Sequence, residues 1–226
     1  MKTALVTGGT GGLGSAVTAA FLADGWRVVV PWIAEHELDR LPEHERLVAH
    51  RADLFAEDEV AACLAPATGD PGAPLGAVVN LVGGFAMGGR LHETPVAEFE
   101  RLLRLNLRPT YLVCHAALPH LVAAGGGSIV CVSAGAVKRP FSGASGYITA
   151  KTAVLGLVAA LAEEYGGDGV RANAVLPGVI DTPGNRAAMP DSDRAGWVSP
   201  ERIAATVLHL SGDVAVSGAQ VPVAGP

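Results

Sequence analysis

The sequence has few cysteines, few aromatic residues and few charges, and these shortages argue against several classes of protein. Its three cysteines, Cys63, Cys114 and Cys131, are widely spaced and form no C-x-x-C pair, so neither a disulfide framework nor a zinc site is indicated. Cys131 lies in an apolar run and is expected to be a buried, inert thiol. The seven histidines are dispersed as well, so we predict no metal site.

Positive charge is also scarce. Only 17% of the residues are charged, the formal net charge is -6, and the arginines form no basic stripe, so no nucleic-acid partner is expected. The longest continuous apolar stretch, residues 153–162, is too short to cross a bilayer, and residues 2–7 look like a strand, not a signal core. We therefore expect a cytoplasmic protein with no membrane partner.

Half of the chain is apolar, and its 226 residues suffice for one large domain over residues 1–226. Strand-like and helix-like patterns alternate from end to end. Strands are predicted at 4–6, 27–30, 47–50, 77–82, 128–133, 171–176 and 220–223. Helices are predicted at 14–24, 57–64, 95–122 with an interruption near Pro109, 147–164 and 200–210. This alternation predicts an α/β protein: a Rossmann-type three-layer αβα sandwich around a seven-stranded parallel, doubly wound sheet.

A glycine-rich loop joins the first predicted strand to the first predicted helix. Gly8 is suited to a sharp turn, Gly12 to a close approach of the backbone to a pyrophosphate, and Gly14 to tight packing of helix on strand. The start of the helix offers free N–H groups and a positive dipole end to phosphates. Glycine loops also serve as ordinary turns, but this position, in the first strand–helix unit, favours a dinucleotide site.

Tyr147 and Lys151 are four residues apart on a predicted helix, which places them on one face, one turn apart. A free phenol has a pKa of about 10 and exchanges protons poorly at neutral pH. A nearby ammonium group stabilises the phenolate, so we expect Lys151 to lower the pKa of Tyr147 toward the working range. The pair is therefore the candidate acid/base centre, although a core tyrosine beside a solvent lysine is the plainer alternative.

These motifs, in this order, resemble the short-chain dehydrogenase/reductase family over nearly the whole chain. The resemblance rests on Gly-x-x-x-Gly-x-Gly from Gly8, on Asn80-Leu-Val-Gly83, on Tyr147-x-x-x-Lys151 and on Pro177-Gly-Val-Ile-Asp-Thr182. It implies hydride transfer between a nicotinamide dinucleotide and a small molecule. It also implies a set of cofactor contacts: Gly8, Gly12, Leu13, Gly14, Trp32, Asp53, Leu54, Asn80, Gly83, Tyr147, Lys151, Pro177, Gly178, Ile180 and Thr182.

The resemblance assigns further catalytic roles. Asn106 matches the asparagine that holds a relay water in this family, and Lys151 matches the lysine that also binds the nicotinamide ribose. The family's substrate-binding serine usually lies thirteen residues before the tyrosine, but that position here is Ala134. Ser133, one position earlier, is the candidate substrate contact, and it reaches the site only if the backbone bulges there.

The choice between NAD and NADP depends on the end of the second strand. An acidic residue there binds the ribose hydroxyls and repels a 2′-phosphate. This chain has Pro31, Trp32 and Ile33 at that place, and its nearest acidic residue, Glu35, comes two residues later. Gly11 stands where NADP users often carry a basic residue. The cofactor is therefore NAD or NADP, and the pattern leans to NAD.

The predicted substrate is a small carbonyl or alcohol compound, held under the segment 182–197. Four side chains are candidate walls for it: Phe85, Phe141, Met189 and Trp197. Two alternatives remain at this stage. Residues 181–191, followed by Trp197, also resemble quinonoid dihydropteridine reductases, which have a small residue in place of the serine; and a fold that keeps its nucleotide site can act as a regulator without catalysis.

Association is predicted from the two long helices. Residues 95–122 and 147–164 carry apolar or small side chains on more than one face, and the family commonly pairs these helices across a two-fold axis. A homodimer or homotetramer is expected. The side chains taken to need a second partner are Leu112, Cys114, Ala117, Ala150, Val154, Leu157 and Leu161.

Overall fold

Seven parallel strands form the centre of the protein, and the computed structural model describes residues 1–212 and 215–226. The strands are β1 Thr3–Thr7, β2 Arg27–Trp32, β3 Leu47–Arg51, β4 Leu75–Asn80, β5 Gly127–Val132, β6 Val170–Pro177 and β7 Gln220–Val223. They lie in the order β3-β2-β1-β4-β5-β6-β7. The chain changes direction across the sheet between β1 and β4, which opens a crevice at the carboxyl ends of the strands.

Helices cover both faces of the sheet. They are α1 Gly14–Ala23, α2 Glu57–Thr68, α3 Val96–Ala123, α4 Ser145–Tyr165, α5 Pro183–Ala188 and α6 Pro200–Ser211. Side chains along a strand alternate between faces, so Leu5 packs in the core under α2, α3 and α4, while Val6 packs in the core under α1 and α6. The predicted three-layer αβα sandwich with a parallel, doubly wound sheet is confirmed.

Several predicted boundaries differ from the structure. The interruption near Pro109 is wrong, because α3 runs without a break from Val96 to Ala123. Pro109 lacks the N–H for one helical bond, but it is buried, and packing of α3 on both sides of it maintains the helix. The sequence analysis missed α5 and a short 3₁₀ helix, Glu35–Arg40, because neither has a long apolar period.

Helix α4 is longer and more apolar than the sequence analysis allowed. The stretch Ser145–Asp168 is long and apolar enough to cross a membrane by length and composition alone, a test that core helices of soluble proteins also pass. In the fold it packs on the sheet with one face buried, including Ala150, Val154 and Val158. Its apolar character therefore has an explanation inside the domain.

Most of the apolar side chains that were expected to pack against a second subunit are buried within this chain. Leu112, Cys114, Ala117, Val154 and Leu161 are all buried in the core between the helices and the sheet. Ala150 is buried too, and Leu157 is partly buried. The argument that these particular residues form a second apolar face is wrong, because the helical period turns them toward β4, β5 and β6 rather than outward.

Candidate active site

The carboxyl ends of the central strands bring the predicted site residues to one edge of the sheet. Thr7, at the end of β1, is in register with Asn80 at the end of β4, and Asn80 is in register with Cys131 of β5. The glycine loop follows β1, Gly83 follows β4, Ser133 follows β5, and residues 178–182 follow β6. Motifs that are far apart in sequence therefore meet around a single crevice.

The glycine loop is closely packed, as a dinucleotide cradle requires. Gly8 has φ +68°, a conformation that glycine adopts without strain. A Cβ on Gly14 would lie 1.9 Å from the Gly8 carbonyl oxygen, so only glycine allows this entry into α1. A Cβ on Gly12 would lie 3.0 Å from Thr182, so a side chain there would fill the space between the loop and the segment after β6.

The surroundings of the loop fit a pyrophosphate. Within the described ranges, no side chain caps the first turn of α1, whose N–H groups and dipole suit an anion. Thr182 caps α5 by accepting a hydrogen bond from the Asn185 N–H at 3.2 Å, which fixes it beside Gly12. The residues present therefore fit a bound dinucleotide, with Leu13, Pro177, Gly178 and Ile180 on the same segments.

Two other predicted cofactor contacts have local structural partners. The Asp53 carboxylate accepts a hydrogen bond from the Phe55 N–H at 2.9 Å, beside the buried Leu54. Asn80 is buried, and its Nδ2 donates to the sulfurs of Cys114 at 3.4 Å and Cys131 at 3.7 Å. The Asn80 side chain therefore holds the end of β4 against the core rather than pointing into the crevice.

Lys151 is the most constrained charged residue of the site. It is 6% exposed, and its Nζ donates to the Val132 carbonyl at 3.0 Å. Burial lowers the pKa of Lys151 to about 8, against the opposing influence of the neighbouring Cys131 thiol. The ammonium has two further N–H groups available for a cofactor or for Tyr147.

Burial raises the pKa of Tyr147 to about 12. The expected lowering of this pKa is wrong for this structure, because burial takes the phenol out of water and disfavours the charged phenolate. Tyr147 is held as a neutral phenol at pH 7. A neutral phenol is ready to donate a proton, which suits the direction in which a carbonyl is reduced.

Asn106 connects α3 to the loop after β4. Its Oδ1 accepts from the Gly84 N–H at 3.1 Å, and its Nδ2 donates to the carbonyls of Gly84 and Leu102, each at 3.0 Å. A Cβ on Gly83 would lie 2.6 Å from Asn106 Oδ1 and 2.9 Å from Lys151 Nζ. Gly83 is thus the point where the loop passes between these two side chains, and both side-chain N–H groups of Asn106 are already used.

The Ser133 hydroxyl is directed into the protein. It is 3% exposed and donates to the Lys151 carbonyl at 2.8 Å. Its backbone N–H donates to the Val175 carbonyl of β6 at 2.9 Å, so Ser133 continues the pairing of β5 with β6 and no bulge turns its side chain toward the site. While the bond to the Lys151 carbonyl holds, Ser133 has no hydroxyl hydrogen to donate to a substrate oxygen. The bond instead fixes the position of α4 relative to the end of β5.

An aromatic cluster borders the Tyr147 phenol. The Phe85 ring meets the Tyr147 ring edge-on with centroids 5.0 Å apart, and the Phe141 ring lies 6.3 Å from Phe85. Phe85 is 54% exposed and Phe141 is 45% exposed, so both present apolar surface at the mouth of the site. Trp197 is instead buried, with the Arg194 guanidinium 5.7 Å above its ring, and Met189 lies half-buried after α5.

Sequence reasoning missed a polar cluster beside the glycine loop. The Thr10 hydroxyl donates to the Glu37 carboxylate at 2.7 Å. Arg40 donates to the other Glu37 oxygen at 3.0 Å and to the Thr10 carbonyl at 3.2 Å. Glu35, the residue noted in the sequence, has an exposed side chain on the same 3₁₀ helix. In the sequence, only the acidic composition of residues 35–39, just after β2, pointed to this cluster.

The chain is similar to known oxidoreductases along most of its length. It is 38% identical over 190 residues to 2-(R)-hydroxypropyl-CoM dehydrogenase of Xanthobacter autotrophicus, covering 80% of this chain and 76% of that protein. It is 36% identical over 242 residues to cis-4-hydroxycyclohexanecarboxylate dehydrogenase of Sinomonas cyclohexanicum, covering 99% and 95%. The solved structure of ElxO with NADP bound has the same fold, with a TM-score of 0.90, 24% identity and coverage of 98% and 96%.

The family model for short chain dehydrogenase matches residues 2–193. That range includes the glycine loop, the Tyr147–Lys151 pair and the segment after β6. The chain belongs to the short-chain dehydrogenase/reductase family and is an oxidoreductase that transfers hydride between a nicotinamide cofactor and a small alcohol or carbonyl substrate.

Proposed function

We propose that the protein reduces a small ketone or conjugated carbonyl compound, or oxidises the matching alcohol, with Tyr147 as its proton-transfer residue. The observation that carries the proposal is the placement of Tyr147 and Lys151 one turn apart on α4, with the Lys151 ammonium held at the carboxyl end of β5. When bound, the nicotinamide supplies the hydride, and the chain supplies orientation and the proton.

In the reducing direction, the substrate carbonyl oxygen lies against the Tyr147 hydroxyl. The carbonyl carbon takes a hydride, its oxygen takes the phenol proton, and an alcohol forms. Lys151, held by the Val132 carbonyl, offers its remaining N–H groups to the ribose and stabilises the phenolate that Tyr147 becomes. Asn106 holds the loop at Gly83 and Gly84 beside Lys151. The relay water that the proposal assigns to Asn106 therefore binds next to a fixed loop.

A turnover panel tests this proposal. Simple cyclic and aromatic ketones, and a quinonoid dihydropterin, are offered with NADH and with NADPH. Turnover of ketones supports the proposed activity. Turnover of the pterin alone would favour the dihydropteridine-reductase alternative, and cofactor binding without any turnover would favour a regulator.

The Ser133–Ala134 pair gives a sharper prediction about the substrate. Because the Ser133 hydroxyl is bound to the Lys151 carbonyl, Ser133→Ala should change ketone turnover little. Ala134→Ser should raise it, since one preorganised donor to a developing oxyanion is worth about 10²–10³ in rate. Steady-state rates of both variants on a ketone and on the pterin check this. Ser133→Ala that loses ketone turnover but keeps the thermal stability and cofactor affinity of the wild type would instead make Ser133 the substrate contact.

The cofactor is proposed to be NAD, with Glu37 as the discriminating residue. Its carboxylate is held against the glycine loop by Thr10 and Arg40, near the end of β2, where a 2′-phosphate would meet negative charge. Glu37→Gln should shift the ratio of kcat/KM for NAD over NADP toward NADP by about tenfold, equivalent to about 1.4 kcal/mol. Glu35→Gln on the same 3₁₀ helix is the control and should leave the ratio unchanged.

We also propose that the protein is cytoplasmic and forms a homodimer or homotetramer through the outer faces of α3 and α4. Tyr111 on α3 is 52% exposed, and Thr152, Gly156 and Ala159 on α4 are exposed, so both helices present surface to a second copy of the chain. Light scattering at micromolar concentration should give a dimer or larger. A monomer at that concentration would contradict the proposal.

A further inference from the structure

An exposed aromatic surface lies beside the Tyr147 phenol. The Phe85 ring contacts the Tyr147 ring edge-on, with centroids 5.0 Å apart, and more than half of the Phe85 side chain is still exposed. The neighbouring Phe141 ring, 6.3 Å from Phe85, is exposed as well. Adjacent exposed apolar side chains mark surfaces that bind another molecule. This surface adjoins the residue that is proposed to transfer the proton.

The loop that carries Phe85 is held on both sides of that residue. Directly before it, the Gly84 N–H donates to Asn106 Oδ1 at 3.1 Å, and the Gly84 carbonyl accepts from Asn106 Nδ2 at 3.0 Å. Three residues after it, the Gly88 N–H donates to the Gly143 carbonyl at 2.9 Å, which joins the loop to the segment before α4. The backbone around Phe85 is therefore fixed before a ligand binds, which lowers the ordering cost of binding.

A substrate that is reduced at Tyr147 has to pack near this ring. In the proposed reaction the carbonyl oxygen lies against the Tyr147 hydroxyl, so the groups attached to the carbonyl carbon lie next to the side chains that surround the phenol. Phe85 is one of them, because its ring is in contact with the Tyr147 ring. A flat aromatic group gains about fivefold in affinity from an offset or edge-on arrangement on such a ring, beyond the burial that any apolar group gains.

We infer that Phe85 selects substrates in which the reacting carbonyl is attached directly to an aromatic ring. The substrate class is therefore aryl ketones and the matching secondary alcohols. The inference deepens the proposed function and rests on it, because it takes Tyr147 as the point where the carbonyl is reduced. The reaction is unchanged: the carbonyl carbon takes the hydride of the reduced nicotinamide, and its oxygen takes the phenol proton.

Acetophenone and cyclohexyl methyl ketone are the matched pair for the test, because they share the acetyl group and the ring size and differ in aromaticity. Their intrinsic reactivities differ, so the quantity measured is the ratio of their kcat/KM values, compared between each variant and the wild type. Phe85→Leu keeps an apolar side chain but removes the ring, and it should lower this ratio by about fivefold. Phe85→Tyr keeps the ring at an exposed position and should retain the wild-type ratio.

Met87→Leu is the control on the same loop. Met87 is exposed, and its substitution should leave the ratio unchanged. If Phe85→Leu reduces both ketones in the wild-type ratio, the inference is overturned while the proposed function stands. Light scattering of Phe85→Leu then shows whether the ring belongs instead to a contact between subunits, which would change the size of the particle.

A binding measurement separates this inference from the proposed function if no ketone is reduced. The same two ketones are titrated by calorimetry into the enzyme with NAD present. Tighter binding of acetophenone that is lost in Phe85→Leu and preserved in Met87→Leu supports the aromatic site even where the proposed reduction has failed. Equal binding of the two ketones, or no binding of either, rejects it.

Discussion

Replacement of Tyr147 by phenylalanine should reduce turnover by about 10³-fold or more, since a positioned acid or base contributes about 10²–10⁴. The substitution removes only the hydroxyl. The ring keeps its edge-on contact with Phe85, so folding and the shape of the site should be retained. Because the glycine loop and Lys151 hold the dinucleotide in this proposal, its Kd, measured by calorimetry, should change by less than about twofold.

Tyr111→Phe is the matched control for this prediction. Tyr111 is exposed on α3, where its ring stacks on His115, and the same hydroxyl is removed there without touching the site. Its rate should equal that of the wild type. Turnover within tenfold of wild type in Tyr147→Phe would end the assignment of Tyr147 as the proton-transfer residue.

Gly83→Ala should lower kcat/KM by about a hundredfold, because a displacement of about 1 Å near the chemistry has effects of that size. The new methyl group would lie 2.6 Å from Asn106 Oδ1 and 2.9 Å from Lys151 Nζ, closer than packed atoms tolerate. Either the loop moves away from α3 or Lys151 leaves its hydrogen bond to Val132. The first change moves the loop out of the site, and the second displaces the ammonium that supports Tyr147.

Gly88→Ala provides the comparison within the same loop. A Cβ at Gly88 meets no described atom within 4 Å, and its φ is not positive, so this variant should retain full activity. Thermal unfolding of both variants separates a local effect from a loss of folding. Wild-type kinetics in Gly83→Ala would show that Lys151 and Asn106 tolerate the added methyl group and that the loop is not a fixed part of the site.

Much of the site was predictable because its motifs are local. Gly8, Gly12 and Gly14 depend on a strand–turn–helix geometry that spans a few residues, and Tyr147 and Lys151 depend on the period of one helix. The strand pattern also predicted the sheet. Boundaries were less well predicted, since α3 continues through Pro109 and α2 continues to Thr68, where packing outweighs local preference.

The orientation of individual side chains was not predictable. Ser133 and Ala134 are adjacent in sequence, and only the packing of α4 on β5 shows that the Ser133 hydroxyl is bound by the Lys151 carbonyl. Burial likewise reversed the expected direction of the Tyr147 pKa shift, because desolvation depends on neighbours that are distant in the chain.

By itself, the sequence of this protein determined its fold class and predicted a dinucleotide loop and an acid/base pair, because hydrophobic period, glycine spacing and helical spacing are properties of short segments. The tertiary structure alone decided which distant residues meet: Glu37 with Thr10, and Phe85 with Phe141. These contacts form because the loops at the carboxyl edge of the sheet pack against each other, and no local sequence pattern predicts that packing.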